Sequence, residues 1–124
     1  MTEPLALVFY EKLLLGQQLV NRLQDLGYRV QAVTDVKVLE QEVQKEKPML
    51  LVAEFPANKP AVGEAFTALK QNPATAHIAI LAYIGEADAA LQEAARTAGA
   101  NLIASEAHVL DQLPQLLEQV LQVE

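Results

Sequence analysis

The apolar residues of this chain arrive in two rhythms. Leu5-Ala6-Leu7-Val8-Phe9-Tyr10, Met49-Leu50-Leu51-Val52-Ala53 and Ile78-Ala79-Ile80-Leu81-Ala82-Tyr83-Ile84 are short, unbroken runs. Runs of this length, bounded by Pro, Gly or charge, read as strands buried on both faces of a parallel sheet. Tyr28-Arg29-Val30-Gln31-Ala32-Val33 alternates instead, as an outer strand with one buried face does, and Leu102-Ile103-Ala104 makes a short fifth strand. Between these runs the period lengthens. Leu15, Leu19, Leu23 and Leu26 mark one face of a helix from Glu11 to Leu26, with Gly27 as its stop. Asp35 caps a second helix carrying Val36, Leu39 and Val43 inward, which ends before Pro48. A third, from about Val62 to Gln71, buries Phe66 and Leu69 after the loop Pro56-Ala57-Asn58-Lys59-Pro60, and Asn72-Pro73 closes it. A fourth, Ala-rich helix runs from about Glu86 to Ala98 and stops at Gly99; its alanines permit close approach of another helix. Asp111 caps the last, with Pro114 in its first turn and Leu113, Leu116, Leu117, Val120 and Leu121 on its apolar face.

Five strand signals alternating with five helix signals predict an α/β fold with helices on both faces of a parallel sheet. The 124 residues, with no repeat or linker, read as one domain spanning 1–124. The strand from Lys47 to Pro56 is a nearly continuous apolar run that belongs at the centre, ending on a single carboxylate, Glu54.

Charge narrows the function. Sixteen acidic residues against nine scattered basic ones give a net charge of −7, which disfavours a nucleic-acid surface and docking on anionic lipid. The chain has no cysteine, so it has no disulfide and no thiolate chemistry. No apolar segment approaches a membrane span, and the amino terminus lacks the features of a signal peptide. A cytoplasmic protein is expected.

The usual catalytic sets are missing. No glycine-rich phosphate loop and no nucleophile elbow occur, and His77 and His108 are not at ligand spacing. Neither an enzyme nor a cofactor is expected. What remains is a set of acidic residues at strand ends: Glu11 after strand one, Glu54 at the end of strand three and Glu106 after strand five. With strand order 2-1-3-4-5, these ends all face one way. Carboxylates gathered there would raise one another's pKa or collect a cation, so a metal or small-ligand site at Glu11, Glu54 and Glu106 is the alternative reading.

Four stretches carry a resemblance to a known family. Gln71-Asn72-Pro73-Ala74-Thr75-Ala76-His77-Ile78-Ala79-Ile80-Leu81-Ala82 looks like the family's stretch in which a proline and then T-A-H-I-P-V-I lead into strand four, and Lys47-Pro48-Met49-Leu50-Leu51-Val52-Ala53-Glu54 like its K-P-D-L-V-L-L-D. Leu26-Gly27-Tyr28-Arg29-Val30 is similar to its exit from helix one, and Gly99-Ala100-Asn101 to its G-A-D before strand five. In this order and spacing the chain resembles, over essentially its whole length, the CheY-like receiver domain of bacterial response regulators. The resemblance implies a flavodoxin-like (βα)5 fold and a place in two-component signalling or a phosphorelay.

The same resemblance assigns places to the family's working residues. Its magnesium-binding acidic pair falls at Tyr10 and Glu11, leaving one acid, and its phosphorylated aspartate falls at Glu54. The hydroxyl residue that contacts the phosphoryl group is Ile84, the lysine that pairs with it is Glu106, and the aromatic switch residue is Ile103. The chain therefore resembles a degenerate receiver, a pseudo-receiver, in which Glu54 marks a lost phosphorylation site. What it would keep is the scaffold and a protein-interaction surface. In receivers that surface is the face of helix four, strand five and the last helix, which here includes Leu91, Arg96 and Leu110 and would bind a protein partner or a second copy.

Overall fold

The computed structural model describes residues 4–56, 60–85 and 89–122. Its strands are β1 (Leu5–Phe9), β2 (Arg29–Val33), β3 (Leu50–Glu54), β4 (Ala79–Ile84) and β5 (Leu102–Ser105). The helices are α1 (Leu13–Asp25), α2 (Val36–Glu46), α3 (Pro60–Gln71), α4 (Ala89–Ala98), α5 (Glu106–Val109) and α6 (Leu113–Gln122). The strands form one five-stranded sheet of order β2-β1-β3-β4-β5, parallel at every pairing. This is the parallel sheet that the alternating signals predict, in the flavodoxin-like arrangement that the resemblance implies.

Burial follows from position in that order. Every residue of the central β3 is buried, whereas all four residues of the edge strand β5 are only half-buried and β2 buries fully only Val33. Alternate side chains feed two separate cores. Leu7, Phe9, Leu51, Ala53, Ile80, Ala82 and Ile84 pack beneath α2, α3 and α4, against Leu39, Val43, Phe66, Leu69 and Ala95. Ala6, Val8, Tyr10, Leu50, Val52, Leu81 and Tyr83 pack beneath α1 and α6, against Leu19, Leu23, Leu113, Leu117 and Val120. A strand buried on both sides favours apolar residues on both faces, hence the unbroken runs, with Glu54 at the end of β3 the buried exception.

Helix ends are set by local chemistry. Asp35 caps α2, its side chain accepting from the Lys37 N–H at 2.9 Å. α1 and α4 end on glycines with positive φ, Gly27 at 96° and Gly99 at 124°. At each, the N–H of the following residue reaches back to the last turn, Tyr28 to the Leu23 carbonyl and Ala100 to the Ala95 carbonyl, both at 3.1 Å. Gly85 does end β4, but the expected start of the fourth helix at Glu86 to Asp88, like the loop residues Ala57 to Lys59, lies outside the described residues.

Two local expectations need correction. α3 begins at Pro60, two residues before Val62, because proline is well suited to a first helical turn. Asp111 does not cap the last helix. An unpredicted short helix, α5, follows β5 directly, and Asp111 lies in the turn between α5 and α6, which is closed by the Gln112 N–H on the His108 carbonyl at 2.9 Å. The chain stays helically wound there, so no free helix start exists for Asp111 to cap.

Candidate functional site

The carboxyl ends of β1, β3, β4 and β5 come together at one end of the sheet. Glu54 closes β3 beside Tyr83 of β4 and is only 4% exposed. A carboxylate so buried needs donors. Glu54 Oε1 accepts from two, the backbone N–H groups of Glu11 at 2.9 Å and Lys12 at 3.1 Å. Both belong to the turn that carries the chain from β1 into α1, so Glu54 pins that turn to the central strand.

The same turn is tied to the far side of the site. Lys12 Nζ donates to both carboxylate oxygens of Glu106, at 3.0 Å and 2.8 Å. Glu106 stands at the first position of α5, which follows β5 without a loop. The ion pair therefore spans from the β1 end to the β5 end. The hydrogen bond to Glu106 raises the Lys12 ammonium above its ordinary pKa of 10.5; burial opposes this, and the charges of Glu106 and Glu54 add to it. Gly85, just past β4, borders the pair: a Cβ there would sit 3.6 Å from both Lys12 Nζ and Glu106 Oε2.

Tyr10 and Tyr83 fill the space beneath. Tyr10 is 6% exposed, and its ring lies flat against the backbone of Gly16, where no side chain intervenes. Tyr83 is fully buried, and its hydroxyl has no hydrogen-bond partner among the described residues. Burial pushes its phenol far above the ordinary value, with Glu54, Glu106 and Tyr10 adding to the shift.

The expected site residues thus separate into groups. Glu54, Glu106 and the backbone of Glu11 do meet. Ile84 and Ile103 belong to the core under α2–α4, Ile84 buried and Ile103 partly so. Leu91 also packs on that core, Leu110 packs on the opposite one, and Arg96 is exposed and paired with Glu93 at 3.1 Å. Leu91 and Leu110 therefore lie on opposite sides of the sheet at the edge formed by β5.

The reading of Glu11, Glu54 and Glu106 as a metal site is not favoured. Among the described residues, no group of three His, Cys, Asp or Glu side chains could hold a metal ion. The reason lies in the partners: Glu54 is turned onto backbone amides and Glu106 onto an ammonium. Lys12 is the residue that sequence reasoning missed. Its signal was a charge exchange, a lysine after strand one accompanying a glutamate where the resemblance expects a lysine.

No family model matches the chain, and no curated protein sequence matches it. Solved structures do. A protein assigned as a response regulator of Chloroflexus aurantiacus J-10-fl is similar at 19% identity with a TM-score of 0.88, covering 99% of this chain and 100% of that one. Chemotaxis response regulator CheY4 of Vibrio cholerae is similar at 20% identity and a TM-score of 0.84, covering 96% and 99%. A response regulator protein from Burkholderia multivorans is similar at 21% identity and a TM-score of 0.73, covering 93% and 95%. The fold is that of CheY-like receiver domains.

Proposed function

We propose that the chain is a receiver-like signalling module that binds a protein partner, or a second copy of itself, without phosphorylation as its switch. The receiver fold supports a role in signal transduction. The observation that carries the finer reading is the Lys12–Glu106 ion pair above the amide-bound Glu54. Phosphoryl transfer needs an accessible acceptor, a cation and donors that spread charge over the transferring oxygens. Here the acceptor-equivalent carboxylate is 4% exposed and the nearby ammonium is spent on Glu106. Ile84, at the hydroxyl position, has nothing to donate.

The expected partner surface is the face of α4, β5 and α6, with Leu91, Arg96 and Leu110 around the half-buried β5 edge. A binding role with no catalysis and no cofactor, in the cytoplasm, follows from the same reading. Among the described residues, no helix is long and apolar enough to cross a membrane. The test is incubation with acetyl phosphate and magnesium followed by intact mass. No mass gain is expected, and a phosphoprotein peak that disappears in Glu54→Gln would overturn the reading.

A further inference from the structure

An apolar groove of about 870 Å³ runs between α3 and α4. Its floor is Phe55 and Gly63, and its walls include Ala68, Ala94 and Ala98. The two helices are tied at one end by Thr67 Oγ1, which donates to the Ala98 carbonyl at 3.1 Å, so the walls are preformed there. The groove is lined from Pro60 to Gln71, the full length of α3, which is about 18 Å or three helical turns.

Shape and chemistry together specify the occupant. An extended segment would bring unpaired backbone amides against apolar walls, whereas a helix satisfies its own amides and can lie in such a groove. The small wall residues let a third helix approach closely. The charged side chains lining the groove are both acidic, Glu64 and Glu93, Glu93 being paired with Arg96 at 3.1 Å, in a chain of net charge −7. A second copy seated by two-fold symmetry would set these carboxylates against one another. A basic helix would meet Glu64 with opposite charge and compete with Arg96 for the exposed Glu93.

We propose that the α3–α4 groove docks an amphipathic helix of a partner protein, one with Ala and Leu on its buried face and Lys or Arg along its edges. This goes beyond the reading above, because it uses α3 and a different set of α4 residues from the β5 face. The test is titration of the ¹⁵N-labelled chain with a synthetic helical peptide of about four turns, Ala and Leu on one face and Lys on both edges. A matched peptide has Glu in place of Lys.

Amide shifts confined to α3 and α4 with the Lys peptide, weakening with added salt, are the expected result. Its affinity should fall about tenfold or more in the Glu64→Lys, Glu93→Lys double variant and be lost in Ala94→Arg, which fills the groove from an exposed position. Both variants are checked for an unchanged far-UV spectrum. Equal binding of the two peptides, no binding at millimolar peptide, or concentration-dependent self-association through the groove would overturn the proposal. Shifts at β5 and α6 instead would overturn it while leaving the β5-face reading standing.

Discussion

Gly16 offers the sharpest test of how the end of β1 is filled. A Cβ at Gly16 would stand 2.1 Å from Tyr10 Cγ and 2.3 and 2.4 Å from its Cδ atoms, where ordinary contact begins near 3.4 Å. The ring would have to retreat by roughly 1.3 Å, and at 6% exposure it has packed neighbours behind it. Overpacking of this kind costs about 1–3 kcal/mol. Against it, replacing a helix-interior glycine by alanine stabilises by about 0.5–1 kcal/mol. Gly16→Ala should therefore destabilise by a net ~1–2 kcal/mol and lower Tm by roughly 3–8 °C. In a Tyr10→Ala background, itself less stable by about 3 kcal/mol, the clash is gone and the sign should reverse. Gly16→Ala should then stabilise by about 0.5–1 kcal/mol. Urea unfolding followed by far-UV circular dichroism on the four proteins of the cycle measures the coupling, with unchanged m-values as the control. A stabilising Gly16→Ala in the wild-type background, or the same sign in both, would refute the packing of Tyr10 on Gly16.

Three further outcomes are expected. Glu54→Ala strands the Glu11 and Lys12 amide donors and should cost about 1.5–3 kcal/mol, with the two amides becoming faster in hydrogen exchange; slow exchange at both would show that another acceptor serves them. Tyr83→Phe removes a buried hydroxyl with no partner among the described residues, so it should be neutral or stabilise by up to about 1 kcal/mol; a loss of stability in urea would reveal a partner. The Lys12–Glu106 pair is solvent-facing, with Lys12 59% exposed, and is worth at most about 1 kcal/mol. Because the folded-state pKa of Lys12 is raised above 10.5, this stability is fully present below pH 10.5 and is lost as pH rises through the folded value. An NMR titration of the Lys12 ammonium checks this, and a pKa unmoved by Glu106→Gln would contradict it.

The fold was largely legible because the relevant signals are local. The unbroken runs at β1, β3 and β4 and the spacing of Leu15, Leu19 and Leu23 in α1 report directly which side chains face a core, whereas Leu26, expected on the same face, lies just past the helix and is exposed. The site was legible in part. Glu54 at the end of β3 and Glu106 after β5 could be placed by counting along a parallel sheet, but what they bond to could not. An extra turn of helix after β5 also escaped notice, since α5 is only four residues long and lacks a full amphipathic period.

The alternation of strands and helices, the buried centre at Leu50–Glu54, and the lack of a hydroxyl at Ile84 and of a lysine at Glu106 are written in the order of residues alone. The pairing of Lys12 with Glu106 across 94 positions, the capture of the β1–α1 turn by Glu54 across 43 and 42, and the fit of Tyr10 on Gly16 arise from the folded arrangement. The physical reason is that periodicity is written by neighbours a few residues apart, while a carboxylate buried at a strand end takes whichever donors the sheet order brings to it. Sheet order puts β3 beside β1 and carries β5 to the edge, and that arrangement turned three suspicious glutamates into an anchored turn and an ion pair.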